Sequence, residues 1–245
     1  MNICITGASR GLGEELCRVA IASGHKVWGI ARRKERMQML EKSFPPGSFF
    51  WSETDVSRED SVTLWKKTME NSGFKPDLVI LNASVLVDDL KESGYDHFTG
   101  SQMIDVNLSG ALRCAGALLP QMLERGKGTF VAVASTAMLR PSVRSAAYSA
   151  GKAGIAIAMR SLKQAFGKRG VDFKTVCLGP IATEMWEGKR NRLVPSPGQA
   201  AKAILRFSGL RKSVLYYPFL TTTLLRLSLW LPDSVFAKAS NALMK

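Results

Sequence analysis

The feature that most constrains the fold is a glycine-containing turn near the start of the chain. Residues 3–5 are apolar and predict a buried strand, and a turn containing Gly7, Gly11 and Gly13 follows. Apolar side chains then recur at helical spacing over residues 14–23. Glycine has no Cβ, so such a turn lets a phosphate approach the backbone N–H groups at the helix start. The turn alone is also compatible with a tight connection that binds no ligand.

The rest of the chain alternates predicted strands with predicted helices. Six further strands are predicted at residues 25–31, 48–53, 77–81, 129–134, 172–178 and 213–217. This alternation is typical of a parallel sheet covered by helices on both faces. We therefore expect an α/β fold of the Rossmann type, a doubly wound, seven-stranded parallel sheet with a C-terminal helical tail. A length of 245 residues, 46% of them hydrophobic, suits one domain over residues 1–245.

The composition argues against a metalloprotein and against an exported protein. The four cysteines are scattered without a C-x-x-C pair, and the chain has only two histidines, so we expect no metal site. Two of the cysteines lie in apolar, strand-like runs, which predicts buried, reduced thiols. Met1 leads directly into the first strand, without the basic and apolar regions of a signal peptide. We therefore expect a cytoplasmic protein.

The chain is strongly basic, with a formal net charge of +14. Residues 186–245 hold 10 Lys and Arg against 2 Asp and Glu. A basic surface can favour nucleic acid, anionic lipid or an anionic cofactor. No nucleic-acid-binding module is recognisable, so we expect no nucleic-acid partner.

Two arginines follow the second predicted strand, where a dinucleotide-binding fold meets the adenosine ribose. An Asp or Glu there would accept from a ribose 2′-hydroxyl, and neither is present. Arg32 and Arg33, with Arg10 in the glycine turn, predict a 2′-phosphate, because guanidinium groups pair with phosphate. The alternative is a solvated, basic helix start. Asp55, after the third strand, either accepts from the adenine amine or caps a turn. We expect NADP(H) in preference to NAD(H).

Four polar residues in the middle of the chain suggest chemistry. Asn107 lies inside a long predicted helical segment, where its poor propensity implies a kink or a polar role. Ser135 ends the fifth predicted strand, and Tyr148 and Lys152 lie one helical turn apart on one face. Singly, such residues are ordinary turn formers, packing residues or surface neighbours. Their coincidence downstream of a cofactor-type turn favours an enzyme.

In order and spacing, these residues resemble the classical branch of the short-chain dehydrogenase/reductase (SDR) family, from residue 2 to about residue 217. The resemblance rests on Thr6-Gly7…Gly11…Gly13, Asp55, Asn82-Ala83, the set Asn107, Ser135, Tyr148 and Lys152, and the segment Gly179 to Thr183. Two positions depart from the family pattern. Ser84 replaces a usual Gly, and Leu178 replaces the Pro that usually precedes Gly179. Neither touches the reacting atoms, so we expect activity to be retained.

The resemblance implies which residues contact the cofactor. They are Gly7, Ser9, Arg10, Gly11, Leu12, Gly13, Arg32, Arg33, Asp55, Val56, Asn82, Ala83, Tyr148, Lys152, Gly179, Pro180, Ile181 and Thr183. The Asn82-Ala83 turn would steady the central sheet, and the segment from Gly179 would lie over the nicotinamide.

The catalytic roles follow from the family's chemistry. Tyr148 would be the general acid/base that gives a proton to a carbonyl oxygen, and the Lys152 cation would lower the pKa of this phenol by about 1–3 units. Lys152 would also hold the nicotinamide ribose. Ser135 would donate to the oxygen where negative charge develops. Asn107 would hold a water that links Lys152 to solvent.

Two C-terminal segments leave alternatives open. Residues 184–196, with Met185 and Trp186, are expected to form a substrate lid. The tail, residues 218–245, has an apolar helix over 219–231 and a second helix after Pro232. It is short and contains Arg226, so it is a poor transmembrane span. Packing on its own domain or on a second subunit is the favoured reading, and contact with a membrane interface is the alternative.

The predicted function is an NADPH-dependent oxidoreductase that transfers hydride between a nicotinamide and a small-molecule carbonyl or alcohol. The alternatives are a catalytically silent NADP(H) sensor and a lipid- or steroid-type oxidoreductase at a membrane. The resemblance further implies a homodimer or homotetramer. The identity of the substrate does not follow from the sequence.

Overall fold

The computed structural model describes residues 1–140, 142, 144–183 and 194–236. Its strands are β1 (Asn2–Thr6), β2 (Lys26–Ala31), β3 (Phe49–Glu53), β4 (Leu78–Leu81), β5 (Leu90–Lys91), β6 (Gly94–Tyr95), β7 (Gly128–Ser135), β8 (Val171–Leu178) and β9 (Val214–Tyr217). Seven of them form one sheet in the order β3-β2-β1-β4-β7-β8-β9, and every pairing in it is parallel. The predicted α/β Rossmann-type sheet is confirmed. Strands β5 and β6 form a short antiparallel hairpin between β4 and the following helix.

Helices connect the strands and lie around the sheet. They are α1 (Gly11–Ala22), α2 (Lys34–Ser43), α3 (Glu59–Asn71), α4 (His97–Ile104), α5 (Ala111–Glu124), α6 (Ala146–Phe166), α7 (Pro197–Ser208) and α8 (Phe219–Leu227). The long helix expected over residues 96–125 is interrupted by a π-helical segment at Asp105–Gly110, which contains Asn107. Extra turns of this kind are frequent at functional sites. The mid-helix asparagine therefore marked a real irregularity.

The sheet is buried on both faces, which explains why its strands are almost wholly apolar. In β1, Cys4 packs into the cluster that includes α3, α5 and α6, whereas Ile3 and Ile5 pack into the cluster that includes α1, α2 and α7. All three side chains are 0% exposed. Full burial of one such isoleucine stabilises the fold by about 1.5–3 kcal/mol. Alternate residues thus build two hydrophobic cores, one on each face of the sheet.

Strand order determines where a ligand can bind. The chain runs from β1 through β2 to β3 at one edge and then returns to β4 on the other side of β1. Crevices at the carboxyl ends of strands beside such a reversal are the usual ligand sites of open α/β sheets. The glycine turn follows β1, and Ser135 ends β7. The topology therefore brings the predicted site residues to one edge.

The cysteines are buried and carry no disulfide. Burial raises the pKa of the Cys114 thiol to about 12 and keeps it protonated. Among the described ranges, no group of three or more His, Cys, Asp and Glu side chains is placed to hold a metal ion.

The tail is helical over α8 and continues as a 3₁₀ turn at Ser228–Trp230. Residues 233–236 begin the second predicted helix. Its remainder, residues 237–245, and most of the predicted lid, residues 184–193, lie outside the described residues. Within the described ranges, no helix is both long enough and apolar enough to cross a membrane.

Candidate active site

A cleft of about 820 Å³ lies at the carboxyl edge of the sheet. Each predicted cofactor-contacting residue lines it, from Gly7 in the glycine turn to Thr183 after β8. Ser135 lines the cleft as well, so three of the four predicted catalytic residues meet there. Asn107 does not line it, although its neighbour Val106 does.

The glycine turn presents an unblocked helix start to this cleft. Helix α1 begins at Gly11, and its N-cap residue Arg10 makes no side-chain capping hydrogen bond. The first N–H groups of a helix have no partner within the helix and attract anions. Gly11 adopts a φ of +55°, and a Cβ there would lie 3.9 Å from the Thr183 side chain. Gly13 serves packing instead, because a Cβ there would lie 2.0 Å from the Gly7 carbonyl oxygen.

Asn82 ties the end of β4 to the glycine turn. Its Nδ2 donates to the Thr6 carbonyl at 3.0 Å and to the Gly7 carbonyl at 3.4 Å. In return, the Thr6 hydroxyl oxygen accepts from the backbone N–H groups of Asn82 and Ala83, each at 2.9 Å. These bonds join β1 to β4 at the reversal point and hold the turn in shape.

The basic end of the cleft contains the two predicted arginines that follow β2. Arg32 and Arg33 line it, and Arg32 Nη1 lies 3.9 Å from Asp55 Oδ2. Asp55 Oδ1 accepts from the Ser57 N–H at 2.9 Å and from the Ser57 hydroxyl at 2.7 Å. Asp55 therefore forms the turn that the sequence left as one of two alternatives. Its second carboxylate oxygen faces the arginine.

Thr54 is a cleft residue that sequence reasoning missed. Its side chain is buried, and Oγ1 has no hydrogen-bond partner among the described residues. A buried hydroxyl without a partner is costly unless a ligand satisfies it. The signal available in the sequence was its position immediately before Asp55.

Two residues that sequence reasoning missed position Tyr148. Ser145 caps α6, with its hydroxyl oxygen accepting from the Tyr148 N–H at 3.1 Å. Asp89 is fully buried and accepts from the Ala146 and Ala147 N–H groups at 2.8 and 2.9 Å. A carboxylate at a helix N-terminus complements the helix dipole. Ser145 had a capping signal, whereas Asp89 is 57 residues from Ala146 and had none.

Tyr148 and Lys152 project from α6 towards the end of β7. Lys152 is buried, and its Nζ donates to the Val133 carbonyl at 2.8 Å. Burial lowers the pKa of Lys152 to about 8. Its ammonium lies 5.7 Å from the centroid of the Tyr148 ring. The lysine is thus held beside the tyrosine by a backbone carbonyl.

Lys152 was expected to lower the pKa of Tyr148, but in the structure this pKa is raised. Burial raises the pKa of Tyr148 above its ordinary value, and a side-chain hydrogen bond with Ser135 opposes this rise in part. Desolvation disfavours the charged phenolate and outweighs the partner. The phenol is therefore held in its protonated form.

Asn107 holds a loop of the cleft wall. Its Nδ2 donates to the Val85 carbonyl at 2.8 Å, and its Oδ1 accepts from the Val85 N–H at 2.8 Å. The Ser84 hydroxyl donates to the same Oδ1 at 3.0 Å. Ser84 is the residue that departs from the family's glycine, and its hydroxyl has thereby gained a partner. The water relay expected at Asn107 stays a prediction.

Another part of the cleft is lined by residues that follow β4. Val85, Leu86 and Val87 supply an apolar wall, and Asp88 and Arg144 also line the cleft. Arg144 Nε donates to both carboxylate oxygens of Asp88, at 3.0 and 3.1 Å. This part of the cleft therefore combines apolar side chains with an ion pair.

Comparison with known proteins identifies the family to which this chain belongs. The family model described as "short chain dehydrogenase" matches residues 1–193. An uncharacterised oxidoreductase of Listeria monocytogenes is 31% identical over 194 residues, covering 76% of each chain. Another, from Staphylococcus saprophyticus, is 31% identical over 186 residues, covering 75% of each chain.

Solved structures of other proteins share the fold of this chain. A serine dehydrogenase complexed with NADP⁺ superposes with a TM-score of 0.82 at 24% identity, covering 88% of this chain and 94% of the other. A short-chain dehydrogenase from Streptomyces avermitilis gives 0.80 at 24% identity, covering 98% and 95%. Matched over more than half of its length by the family model, the chain belongs to the short-chain dehydrogenase family and is an oxidoreductase of that family.

Proposed function

We propose that this protein is an NADPH-dependent reductase of small-molecule carbonyl compounds, or the corresponding alcohol dehydrogenase, with Tyr148 as general acid/base. The observation that carries the proposal is the meeting of Ser135, Tyr148 and Lys152 in the same cleft as the glycine turn. A protein that only senses NADP(H) has no need of this set.

The residues of the cleft suit a nicotinamide dinucleotide. The uncapped start of α1 can bind the diphosphate, and Gly11 leaves room for its approach. Thr54 offers a buried hydroxyl that lacks a partner among the described residues. Arg32 and Arg33, with no carboxylate at the end of β2, favour a 2′-phosphate. That one fold relative is a complex with NADP⁺ supports the same choice.

Bound NADPH would supply the hydride, and the chain's own side chains would handle the proton. Tyr148 is held protonated by burial, which suits a group that gives its proton to a developing alkoxide. Ser135, at the end of β7, would donate a hydrogen bond to the same oxygen. Lys152 would use its remaining N–H groups for the ribose, because Val133 takes one of its three.

A substrate panel followed by NADPH absorbance, run in parallel with NADH, tests the proposal. We expect turnover of at least one carbonyl compound with NADPH. Tyr148→Phe should lower kcat by about 100-fold or more, the range of general acid catalysis, and should retain NADPH binding. Tyr95→Phe, in the β5–β6 hairpin outside the cleft, is the matched control and should keep full activity. Full turnover by Tyr148→Phe would refute the catalytic assignment.

A further inference from the structure

The tail helix leaves an apolar face uncovered. At about 100° per residue, Leu220, Leu224 and Leu227 fall in one arc of α8. All three are exposed, Leu224 by 59% and Leu227 by 60%. Phe219 at the start of the helix and Trp230 just after it are more exposed still, Trp230 by 89%. We refer to these five side chains as the tail face.

The opposite side of α8 is fixed to the body of the protein. The Thr222 side chain is fully buried, and a Cβ on Gly179 would lie 3.4 Å from its methyl group. The Gly179 N–H donates to the Tyr217 carbonyl at 2.8 Å, one residue before the Pro218 that leads into α8. Since Gly179 lines the cleft, the tail face is carried by a helix that packs against the cleft wall. Packing on its own domain, one of the two placements favoured from the sequence, therefore buries only one side of α8.

Two charged side chains, Arg226 and Asp233, lie in the described tail. Arg226 is exposed and lies about 100° around the helix from Leu227, with its guanidinium 4.2 Å from the Tyr216 ring centroid. Over the described tail, residues 218–236, the single acidic side chain is Asp233, and it is paired with Arg140. The whole chain carries +14. An apolar helix face with one exposed arginine on the same helix and a tryptophan at its end, on a chain of high positive charge, resembles helices that lie in the interface of an anionic bilayer.

We propose that the tail face docks on an anionic phospholipid bilayer and holds the enzyme at the membrane surface. A second copy of the chain is the competing occupant. In a two-fold interface the same surface meets itself, so two chains that each carry a net charge of +14 would approach one another. Anionic lipid removes that repulsion, and the apolar side chains enter the boundary between headgroups and acyl chains.

Co-sedimentation of the full chain with vesicles tests the proposal without any substrate or cofactor. We expect binding to phosphatidylcholine vesicles that contain about 30% phosphatidylglycerol, and weaker binding to pure phosphatidylcholine or at high salt. Leu224→Glu should lower the partition coefficient by about tenfold, because it places a carboxylate in the apolar arc. The matched control is Leu64→Glu on α3, a leucine that is 65% exposed. It makes the same change of charge and should bind like the wild type.

Three results would overturn the docking proposal. The first is absence of pelleting with anionic vesicles at low salt, and the second is equal partition of the wild type and Leu224→Glu. The third is a wild-type oligomer that Leu224→Glu dissociates in analytical ultracentrifugation, since a second copy would then cover the face. Because neither measurement uses turnover, their failure is distinguishable from failure of the proposed reductase activity.

Discussion

Arg140 and Asp233 form an ion pair that joins the active-site region to the tail across 93 residues of sequence. The Arg140 side chain is buried in the loop that follows Ser135, whereas Asp233 lies after the tail helix. The guanidinium also donates to the Leu231 carbonyl at 2.9 Å and to the Ser228 carbonyl, and it lies 4.7 Å from the Phe236 ring centroid. One arginine thus holds the end of the described tail against the loop after β7.

Replacing this arginine should release the end of the tail. Arg140→Met would remove the donor to the Leu231 carbonyl and one of the two donors to the Ser228 carbonyl, and a typical hydrogen bond contributes about 0.5–1.5 kcal/mol. We expect faster hydrogen–deuterium exchange over residues 228–236 and a lower free energy of unfolding, measured by mass spectrometry and urea denaturation. Arg58→Met removes a fully exposed pair with Asp60 and is the control, with little change expected. Exchange in this segment that matches the wild type would show that other contacts hold it.

The strands of the sheet could be predicted because each one is marked by a pattern of neighbouring residues in the sequence. Each of the seven predicted strands lies within one residue of its observed bounds at both ends. Apolar runs that are buried on both faces end at glycines and polar residues, so their limits can be read directly. The same holds for the cleft, since the residues that follow parallel strands must meet at one edge.

Other features of the site could not be predicted from the sequence. They depend on contacts between residues that are distant in the chain, or on how deeply a side chain is buried. Asp89 holds the start of α6 from 57 residues away, and no spacing rule relates the two. The pKa of Tyr148 was expected to fall because Lys152 lies one turn away, yet burial raises it. Helical spacing in the tail likewise defined an apolar arc, but only the structure shows that α8 buries Thr222 and leaves Leu224 exposed.

The arginines at the end of β2 should set the cofactor preference. Arg32→Ala and Arg33→Ala each remove a cation that can bind a 2′-phosphate, and a charge-assisted hydrogen bond contributes about 1.5–3 kcal/mol. We expect the Kd for NADPH to rise about tenfold or more in each variant, with the Kd for NADH almost unchanged, by isothermal titration calorimetry. Lys66→Ala, a surface lysine on α3 paired with Glu70, is the control and should bind both cofactors as the wild type does. Tighter wild-type binding of NADH than of NADPH would contradict the assignment of these arginines.

Buried Lys152 should make stability depend on pH in a defined range. Its pKa is lowered by burial from 10.5 to about 8, so between these values the unfolded chain binds more protons than the folded one. The contribution of Lys152 to the free energy of unfolding should therefore increase by about 3 kcal/mol in total as pH rises from about 8 to about 10.5. Below pH 8 the penalty for burying the ammonium is fully present. Lys152→Met has no such group and lacks this gain.

Urea denaturation of the wild type and of Lys152→Met at pH 7.5 and pH 10.5 measures the effect as a difference of differences. Other titrating groups contribute to both proteins and cancel to first order. The wild type should gain stability relative to Lys152→Met at the higher pH. Lys67→Met, at an exposed lysine of α3, makes the same substitution at the surface and is the matched control. If the Lys152→Met difference is the same at both pH values, the ammonium is not buried in the folded protein, and the Val133 carbonyl does not hold it in the position described.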